Sequence, residues 1–273
     1  MENYVQAINV ASEALDELPL ANRWLGQTQE IVLSGVRGQQ KQPGQFRTSQ
    51  NWIGVSLKNA VFVPPHHDHV PDLMGDLEAF LHAAHLFVHP LVRIAIGHYQ
   101  FETIHPFLDG NGRLGRLLIS LYLASEGLLV RPALYLSDYF ERNKTAYVDH
   151  LMAVRQGNHL REWLVFFLHG VEETARASAD VFRSILAIKE RIERDVLPRF
   201  SARRQDNAQA LIRHLYARPV VDVKMVAEII GATGNTASAL ITDMVSHGVL
   251  VEVTGQRRNR LFVFNEYIEL FRR

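Results

Sequence analysis

A twelve-residue run, HPFLDGNGRLGR at positions 105–116, constrains this chain more than any other segment. Its second half leads into apolar side chains three and four positions apart, at Leu114, Leu117, Leu118 and Leu121. That spacing predicts a helix whose first turn is formed by residues 110–113. Because the first turn of a helix carries unpaired N–H groups and the positive end of the dipole, the run predicts an anion-binding loop.

The polar side chains of this run suit the handling of a nucleotide phosphate. His105 can take a proton near neutral pH, since an unperturbed imidazole has a pKa of about 6.5. Asp109 offers the carboxylate oxygen that Mg²⁺ prefers beside phosphate oxygens. Arg113 and Arg116 are three residues apart on one helix face, where each could bind a phosphate group. Each residue alone also fits an ordinary turn or a solvated helix face. Their combination predicts a phosphate site.

The middle of the run predicts a backbone cradle for that anion. Gly110 and Gly112 lack a Cβ atom, so the main chain can adopt positive φ angles and come close to a ligand. Asn111, which lies between them, brings amide donors. We therefore expect these three residues to face the phosphate.

Every fixed position of the run matches the signature of the Fic family: HPF, any residue, Asp or Glu, GN, Gly or Lys, R, two free positions, and R. The resemblance implies a protein adenylyltransferase that moves AMP from ATP to a target hydroxyl with Mg²⁺ and releases pyrophosphate. It implies that His105 is the base and Asp109 the metal ligand, and that Phe107 anchors the core. The resemblance implies catalytic roles for Asn111 and Arg113. It also implies nucleotide contacts for Gly110, Asn111, Gly112, Arg113, Leu114, Gly115 and Arg116.

A second segment, LYLSDYFERNKTAYVDHLMAVRQG, resembles the Fic region that closes over the adenine and ribose. Tyr139, Asn143 and Tyr147 are four residues apart, which predicts that they share one helix face and could offer a ring and an amide to the base. An aromatic stripe at this spacing is equally consistent with a core face.

The rest of the first 200 residues predicts a mainly α, Fic-like helical core. Periodic apolar residues predict helices at 3–18, 22–33, 72–87 and 90–103, and two more between 159 and 200, the second at Val181 to Val196. Strands near Asn51 to Val55 and Ala60 to Val63 predict a β-hairpin within residues 46–64. In a Fic relative this hairpin is the flap that docks the target protein by main-chain hydrogen bonds.

Residues 201–273 resemble a winged helix-turn-helix domain, with VLVEVTGQRRNRLFVF as the wing. DNA-reading helices carry basic or amide side chains, yet Thr233 to His247 contains no Lys or Arg. Basic charge is concentrated in the wing, at Arg257, Arg258 and Arg260, where phosphate contact is conceivable. The pattern favours a docking or homodimerisation module over a DNA reader. Two alternative functions stay open: a Fic transferase with another nucleotide or phosphate donor, and a DNA-binding regulator that senses nucleotide.

Composition excludes several classes of protein. The 273 residues include 29 basic and 29 acidic side chains, so no overall field attracts nucleic acid or anionic lipid. The chain has no Cys, which rules out disulfides and thiolate metal sites and suits a reducing compartment. Its first residues lack the pattern of a secretory signal. We expect a soluble, cytoplasmic protein without a membrane partner.

Many Fic proteins restrain themselves with a segment that reads Ser or Thr, three free residues, Glu, then Gly or Asn. This sequence holds no complete copy: Glu2-Asn3 has no preceding hydroxyl residue, and Glu126-Gly127 has Tyr122 at that position. We expect the segment to be lost, encoded elsewhere or supplied by a partner, with high basal self-modification as the result. Two groups of histidines invite a zinc interpretation that we do not favour. His66, His67 and His69 flank Asp68 in a loop bounded by prolines with no thiolate nearby, and the group at residues 82, 85 and 89 has no obvious carboxylate to complete a site.

Overall fold

A computed structural model describes residues 2–15, 20–34, 42–130, 134–256 and 259–272. The chain is mainly helical, as predicted. It divides into two compact units, Met1–Ala175 and Arg176–Arg273. The division lies inside a long helix, whereas the sequence predicts a domain boundary after residue 200.

The described part of the first unit contains eight α-helices, and most of their bounds are close to the predicted ones. They are α1 (Glu2–Leu15), α2 (Asn22–Leu33), α3 (Val70–His82), α4 (Pro90–Ile104), α5 (Asn111–Ser125), α6 (Ser137–Arg142), α7 (Lys144–Gly157) and α8 (Leu160–Arg191), the last of which continues past the unit's end. The prediction of two helices between 159 and 200 is wrong, because α8 is continuous to Arg191 and passes into a π-helical turn at Ile192–Val196. Helix α3 also ends five residues earlier than predicted, at His82 rather than at residue 87.

Helix α5 lies in the centre of this unit. Its side chains from Leu117 to Leu123 are almost fully buried, and helices α1, α2 and α4 contact it. Trp163 of α8 donates from Nε1 to the carbonyl oxygen of Ala95 in α4 at 2.9 Å, which ties α8 to the same core. Because α5 begins at Asn111, the core fixes the position of the motif.

The predicted hairpin is present. Strands β1 (Ile53–Gly54) and β2 (Ala60–Phe62) are antiparallel, with Ile53 opposite Phe62. A short 3₁₀ turn at Leu57–Asn59 joins them, and the Ser56 side chain accepts a hydrogen bond from the N–H of Asn59. The strands are shorter than predicted, and Val55 at the turn is 92% exposed.

The predicted succession of three helices and two strands is present in the described part of the second unit, together with one further strand and one further short helix. After the end of α8 come α9 (Ala202–Ala217), β3 (Val220–Val221), α10 (Val223–Ile230), α11 (Gly234–Ser246), β4 (Val251–Glu252), β5 (Phe262–Val263) and α12 (Asn265–Glu269). The strands form an antiparallel sheet in the order β3-β5-β4, and β3 was not predicted. Asp222 and Thr233 cap the N-termini of α10 and α11. Arg257 and Arg258, predicted in the wing, lie outside the described residues.

Among the described residues, no helix has both the length and the apolar composition needed to cross a membrane. The 32-residue helix α8 is long enough, but it carries charged side chains along its length.

Candidate active site

His105 lies directly after helix α4, in a backbone conformation that a side chain rarely adopts. Its φ and ψ angles are 50° and 59°, the left-handed region, and its N–H closes the helix by donating to the carbonyl oxygen of Phe101 at 2.9 Å. Non-glycine residues in this region are uncommon and are held there by their surroundings. Other residues must therefore hold the main chain of His105 in this conformation.

Arg47 holds the main chain at His105 through hydrogen bonds. Its side chain is 2% exposed, and its guanidinium group donates to four main-chain carbonyl oxygens. The acceptors and distances are His105 (3.0 Å), Ser49 (3.3 Å), Pro65 (2.5 Å) and Ile104 (3.3 Å). The N–H of Arg47 also donates to the carbonyl oxygen of Pro106 at 2.8 Å. A single buried cation thus joins the start of the motif to the segment around the hairpin.

Asn111 braces the same loop from the other side. Its Oδ1 accepts from the N–H of Phe107 at 2.9 Å, and its Nδ2 donates to the carbonyl oxygen of Phe107 at 2.7 Å. With the side chain 2% exposed, its amide is directed into the loop rather than towards a ligand. The expectation that the Asn111 amide faces the phosphate therefore differs from the structure, whereas the prediction that Phe107 is a core anchor is confirmed by its complete burial.

The N-terminus of α5 is open to an anion. Gly110, at φ 85°, is the N-cap residue, and no side chain in the described part of the chain caps the helix. The N–H of Gly110 donates to Oδ1 of Asp109 at 2.6 Å, and the carbonyl oxygen of Asp109 accepts from Gln29 at 3.0 Å. The Asp109 carboxylate is half exposed, and carboxylate oxygens are ligands that a hard cation such as Mg²⁺ prefers. The residues of the loop thus fit a magnesium–phosphate group.

The imidazole of His105 is neutral at physiological pH. Burial is the main cause that lowers its pKa from 6.5 to about 4; the charges of Arg47 and Arg155 act in the same direction, and a contact with the main chain of Glu102 acts against them. Nδ1 is buried and has no hydrogen-bond partner among the described residues, and the Oε2 atom of Glu102 lies 4.0 Å from it. A neutral imidazole can accept a proton from a substrate without first losing one.

The two arginines of the motif contact different segments of the first unit. Arg113 is 45% exposed, with one guanidinium nitrogen 3.9 Å from Asp109 and another 3.4 Å from the carbonyl oxygen of Val32. Arg116 donates from Nε to the hydroxyl of Ser137 at 3.1 Å. It also borders a pocket of about 350 Å³ whose other lining residues are Ser137, Phe140, Glu141, Lys144, Tyr147 and Val148.

Leu114 and Gly115, predicted as nucleotide contacts, are directed into the protein. Leu114 is completely buried in the core. A Cβ atom on Gly115 would lie 2.5 Å from Oε1 of Glu102 and 3.1 Å from the ring of Phe101, so this glycine allows α5 to approach α4. Both positions pack in the core, and the prediction that these two residues contact a nucleotide stays a prediction.

The predicted adenine stripe is divided between two helices. Helix α6 ends at Arg142 and α7 begins at Lys144, so Asn143 lies in a break rather than on a continuous face. Tyr139 is 4% exposed and packs against Phe166, and the Asn143 amide donates to the carbonyl oxygen of Tyr139. Only Tyr147 of the three lines the pocket beside Arg116, where its hydroxyl bonds Nε2 of the buried His98 at 2.9 Å.

Several residues of the site carry no signal in a single sequence. Arg47 and Gln29 reach the motif from 58 and 80 positions away along the chain. Asn51 donates to the carbonyl oxygen of Phe107 at 3.1 Å, and Arg155 donates to that of Glu102 at 3.1 Å. Each is an ordinary polar residue in its own segment, so only the folded chain identifies it.

The two groups of histidines outside the motif make different contacts. His82 contacts the carbonyl oxygen of Leu20, and His89 caps α4 through Nδ1, so the second group does not converge. In the first group, the carboxylate of Asp68 lies 3.2 Å from His66 and 3.4 Å from His67. Asp68 is 71% exposed, and the cluster lies on the protein surface.

Part of the first unit is similar to a known protein family. Residues 19–123 match the Fic/DOC family. The protein adenylyltransferase Fic of Aedes aegypti is 32% identical over 132 residues, which cover 48% of this chain and 24% of that protein. The enzyme of the same name from Culex quinquefasciatus is 31% identical over 132 residues, with the same coverage. This chain therefore spans about a quarter of the length of these curated relatives.

A solved structure supports the fold. A Fic family protein from Desulfovibrio desulfuricans G20 superimposes with a TM-score of 0.56 and 21% sequence identity, covering 95% of this chain and 74% of that one. At this identity the likeness concerns the fold alone.

Proposed function

We propose, from the Fic/DOC family domain that includes residues 19–123, that this protein is an adenylyltransferase that moves AMP from ATP to a hydroxyl of a target protein, and also to itself. One observation carries the proposal: a neutral, buried imidazole at His105 is held in the same loop as the open N-terminus of α5. A proton acceptor beside an anion site is the arrangement that nucleotidyl transfer needs.

His105 would take the proton of the attacking hydroxyl. Because its pKa lies well below neutrality, nearly all molecules carry the base form at pH 7. Such general-base assistance contributes about 10²-fold to 10⁴-fold to a rate. Arg47 holds the residue in position through the main-chain oxygen of His105 and leaves the ring free.

The open turn of α5 and the two arginines would hold the phosphates. Free N–H groups at Asn111, Gly112 and Arg113 and the positive end of the helix dipole favour an anion there. Arg113 and Arg116 would bind the β- and γ-phosphates. Asp109 would hold Mg²⁺, which when bound neutralises charge that develops on the phosphate oxygens.

The pocket beside Arg116 would receive part of the nucleotide. It is lined by the aromatic ring of Tyr147 and the ammonium group of Lys144, which suit a ring and a polar or anionic group respectively. The buried Tyr139 and the capping Asn143 are poor candidates for contact with the base, so we narrow the predicted adenine contacts to Tyr147.

The hairpin would dock the target. Its apolar side chains Trp52, Val55, Leu57, Val61 and Val63 are between 43% and 92% exposed, which is typical of an interaction surface. The second unit would serve as a winged-helix docking or dimerisation module. Arg260 favours this over DNA binding because it is paired with Glu252 and lies over the ring of Phe262. A cytoplasmic location and a homodimer stay predictions.

Labelled nucleotides test the proposal. The protein would be incubated with Mg²⁺ and each of the four nucleoside triphosphates, labelled at the α-phosphate or at the γ-phosphate. Mass spectrometry would then locate the modified residue. Adenylyl transfer predicts incorporation of the α-label from ATP and an added mass of AMP. Incorporation of the γ-label alone would instead support a phosphate-transferring relative.

A further inference from the structure

Glu102 is a buried carboxyl group close to the proposed base. It lies on the last turn of α4, three residues before His105, and its side chain is 9% exposed. Oε2 lies 4.0 Å from Nδ1 of His105. Oε1 is buried and has no hydrogen-bond partner in the described ranges of the chain. Buried polar atoms of this kind are rare in folded proteins and call for a functional explanation.

Cations surround this carboxyl group without pairing closely with it. Arg116 of α5 and Arg155 of α7 each favour its charged form, but Arg155 uses its own donors on the main-chain oxygen of Glu102 and the hydroxyl of Thr103. Burial dominates and raises the pKa of Glu102 from 4.5 to about 7. The carboxyl group therefore changes protonation within the physiological range.

Small residues bring Glu102 close to the phosphate loop. The Cβ position of Gly115 is 2.5 Å from Oε1, and that of Gly112 is 4.0 Å from it. The side chain thus lies under the first turns of α5, between the base and Arg116. Tyr147 of α7 and His98 of α4 are further titratable groups of this region, and Tyr99 of α4 interacts with Arg155. The charges of Arg47, Arg155 and Asp109 act on the pKa of His105.

We propose that Glu102 is a positioning residue that accepts a hydrogen bond from Nδ1 of His105 and offsets the charge of the imidazolium ion that forms during transfer. A side-chain rotation that closes the present 4.0 Å separation to hydrogen-bond length would suffice. The inference rests on the proposed role of His105 as the base.

The transfer step explains why such a group is needed. The target oxygen forms a bond to the α-phosphorus, the bond between that phosphorus and the β-phosphate oxygen breaks, and pyrophosphate leaves with its electron pair. The hydroxyl proton moves to Nε2 of His105, which becomes a cation. A buried imidazolium ion is unfavourable unless an anion lies beside it. The lowered pKa of His105 reflects this cost of burying the charge. Glu102 supplies that anion and takes no proton itself.

The test compares Glu102→Gln, which keeps the volume and removes the charge, with Glu126→Gln, an exposed carboxyl at the other end of α5. For Glu102→Gln we expect kcat to fall by about 10-fold or more, with the KM for ATP unchanged or lower. In the wild type, kcat should rise as Glu102 ionises near pH 7, and this rise should be absent from Glu102→Gln. Glu126→Gln should match the wild type in all three measurements.

A purely structural role, such as bracing Arg116, would change the KM for ATP instead of the pH profile. That result, or a Glu102→Gln variant with the kcat of the wild type, would overturn the inference. If Glu102→Gln does not fold, Glu102→Asp decides: a retained rise near pH 7 supports the inference and a flat profile contradicts it.

Nitrogen-15 NMR of the histidines separates this inference from the proposed function, because it needs no turnover. We expect the Nδ1–H form of His105 in the wild type and a changed Nδ1 shift in Glu102→Gln. If the protein transferred no AMP while these shifts differed, the proposed function would fail and the contact would stand. Identical shifts in both proteins would overturn the contact.

Discussion

The guanidinium group of Arg47 donates to the main-chain oxygen of His105 at 3.0 Å and holds that residue in a left-handed conformation. The contact spans 58 positions of sequence and joins the segment before the hairpin to the motif. Three other carbonyl oxygens share the same cation. The position of His105 thus depends on a residue outside the motif.

Replacing Arg47 should loosen the motif loop. In Arg47→Lys the charge remains, but an ammonium group cannot reach four carbonyl oxygens in the fixed geometry of a guanidinium group. We expect the free energy of unfolding, measured with urea, to fall by about 2–4 kcal/mol, since buried hydrogen bonds to a charged group are lost. Transfer should fall as well. Arg142→Lys, at an exposed ion pair with Asp138, is the control and should leave both quantities nearly unchanged.

Asn111 should act through the loop rather than through the ligand. Asn111→Asp keeps the shape but places a carboxylate oxygen against the carbonyl oxygen of Phe107, where an amide now donates. We expect the free energy of unfolding to fall by about 1–3 kcal/mol, together with the affinity for ATP measured by calorimetry. A variant with unchanged stability and weakened ATP binding would show instead that the amide contacts the nucleotide.

Two glycines with different surroundings should respond oppositely to alanine. A Cβ on Gly115 would lie 2.5 Å from Glu102 and 3.3 Å from His98, so Gly115→Ala should destabilise the protein by about 1–3 kcal/mol through overpacking. A Cβ on Gly75 of α3 would have no atom of another described element within 4 Å, and Gly75→Ala should be neutral or stabilise by up to about 1 kcal/mol. Urea unfolding of both variants measures the difference. Equal effects would mean that α4 and α5 do not approach as described.

Stability should depend on pH through three buried groups. Burial lowers the pKa values of His98 and His105 to about 4, so the unfolded chain binds more protons between about pH 4 and 6.5. Stability from these residues is therefore present above pH 6.5 and is lost as the pH falls. Glu102, with its pKa raised to about 7, acts in the opposite direction, because its contribution is lost as the pH rises from 4.5 to 7.

Replacing Glu102 should make the effect of the two histidines on the pH dependence of stability easier to measure. In Glu102→Gln, the free energy of unfolding should rise more steeply with pH between 4.5 and 6.5 than in the wild type. Urea titrations at several pH values across this window measure the two slopes. Parallel curves would contradict the buried, protonated state of Glu102.

Local patterns in the sequence were sufficient for much of the fold. Pro90 and the apolar spacing that follows it predicted α4, and the leucines after Arg113 predicted the start of α5 to within two residues. The sequence predicted two helices where α8 is continuous, and Gly170 inside α8 is a residue of low helix propensity. In the folded chain that glycine lies against the ring of Tyr139, which accounts for a residue without a side chain.

The sequence likewise predicted some residues of the candidate site and not others. Residues that act within a few positions of one another, such as His105 and Asp109, were visible in the motif. The directions of Asn111 and Gly115 were not, because a motif identifies residues but not the face of the chain on which each lies. Arg47 and Glu102 depend on contacts between separate elements, which a single sequence does not encode locally.

The transfer of α-labelled phosphate from ATP by the wild type and by His105→Ala tests the central claim most directly. ATP affinity would be measured on the same two proteins, so that a loss of binding is recognised. The wild type should incorporate the label, while His105→Ala should bind ATP with similar affinity and show a rate lower by about 10²-fold to 10⁴-fold. Equal incorporation by the two proteins would contradict the account of His105 as the base.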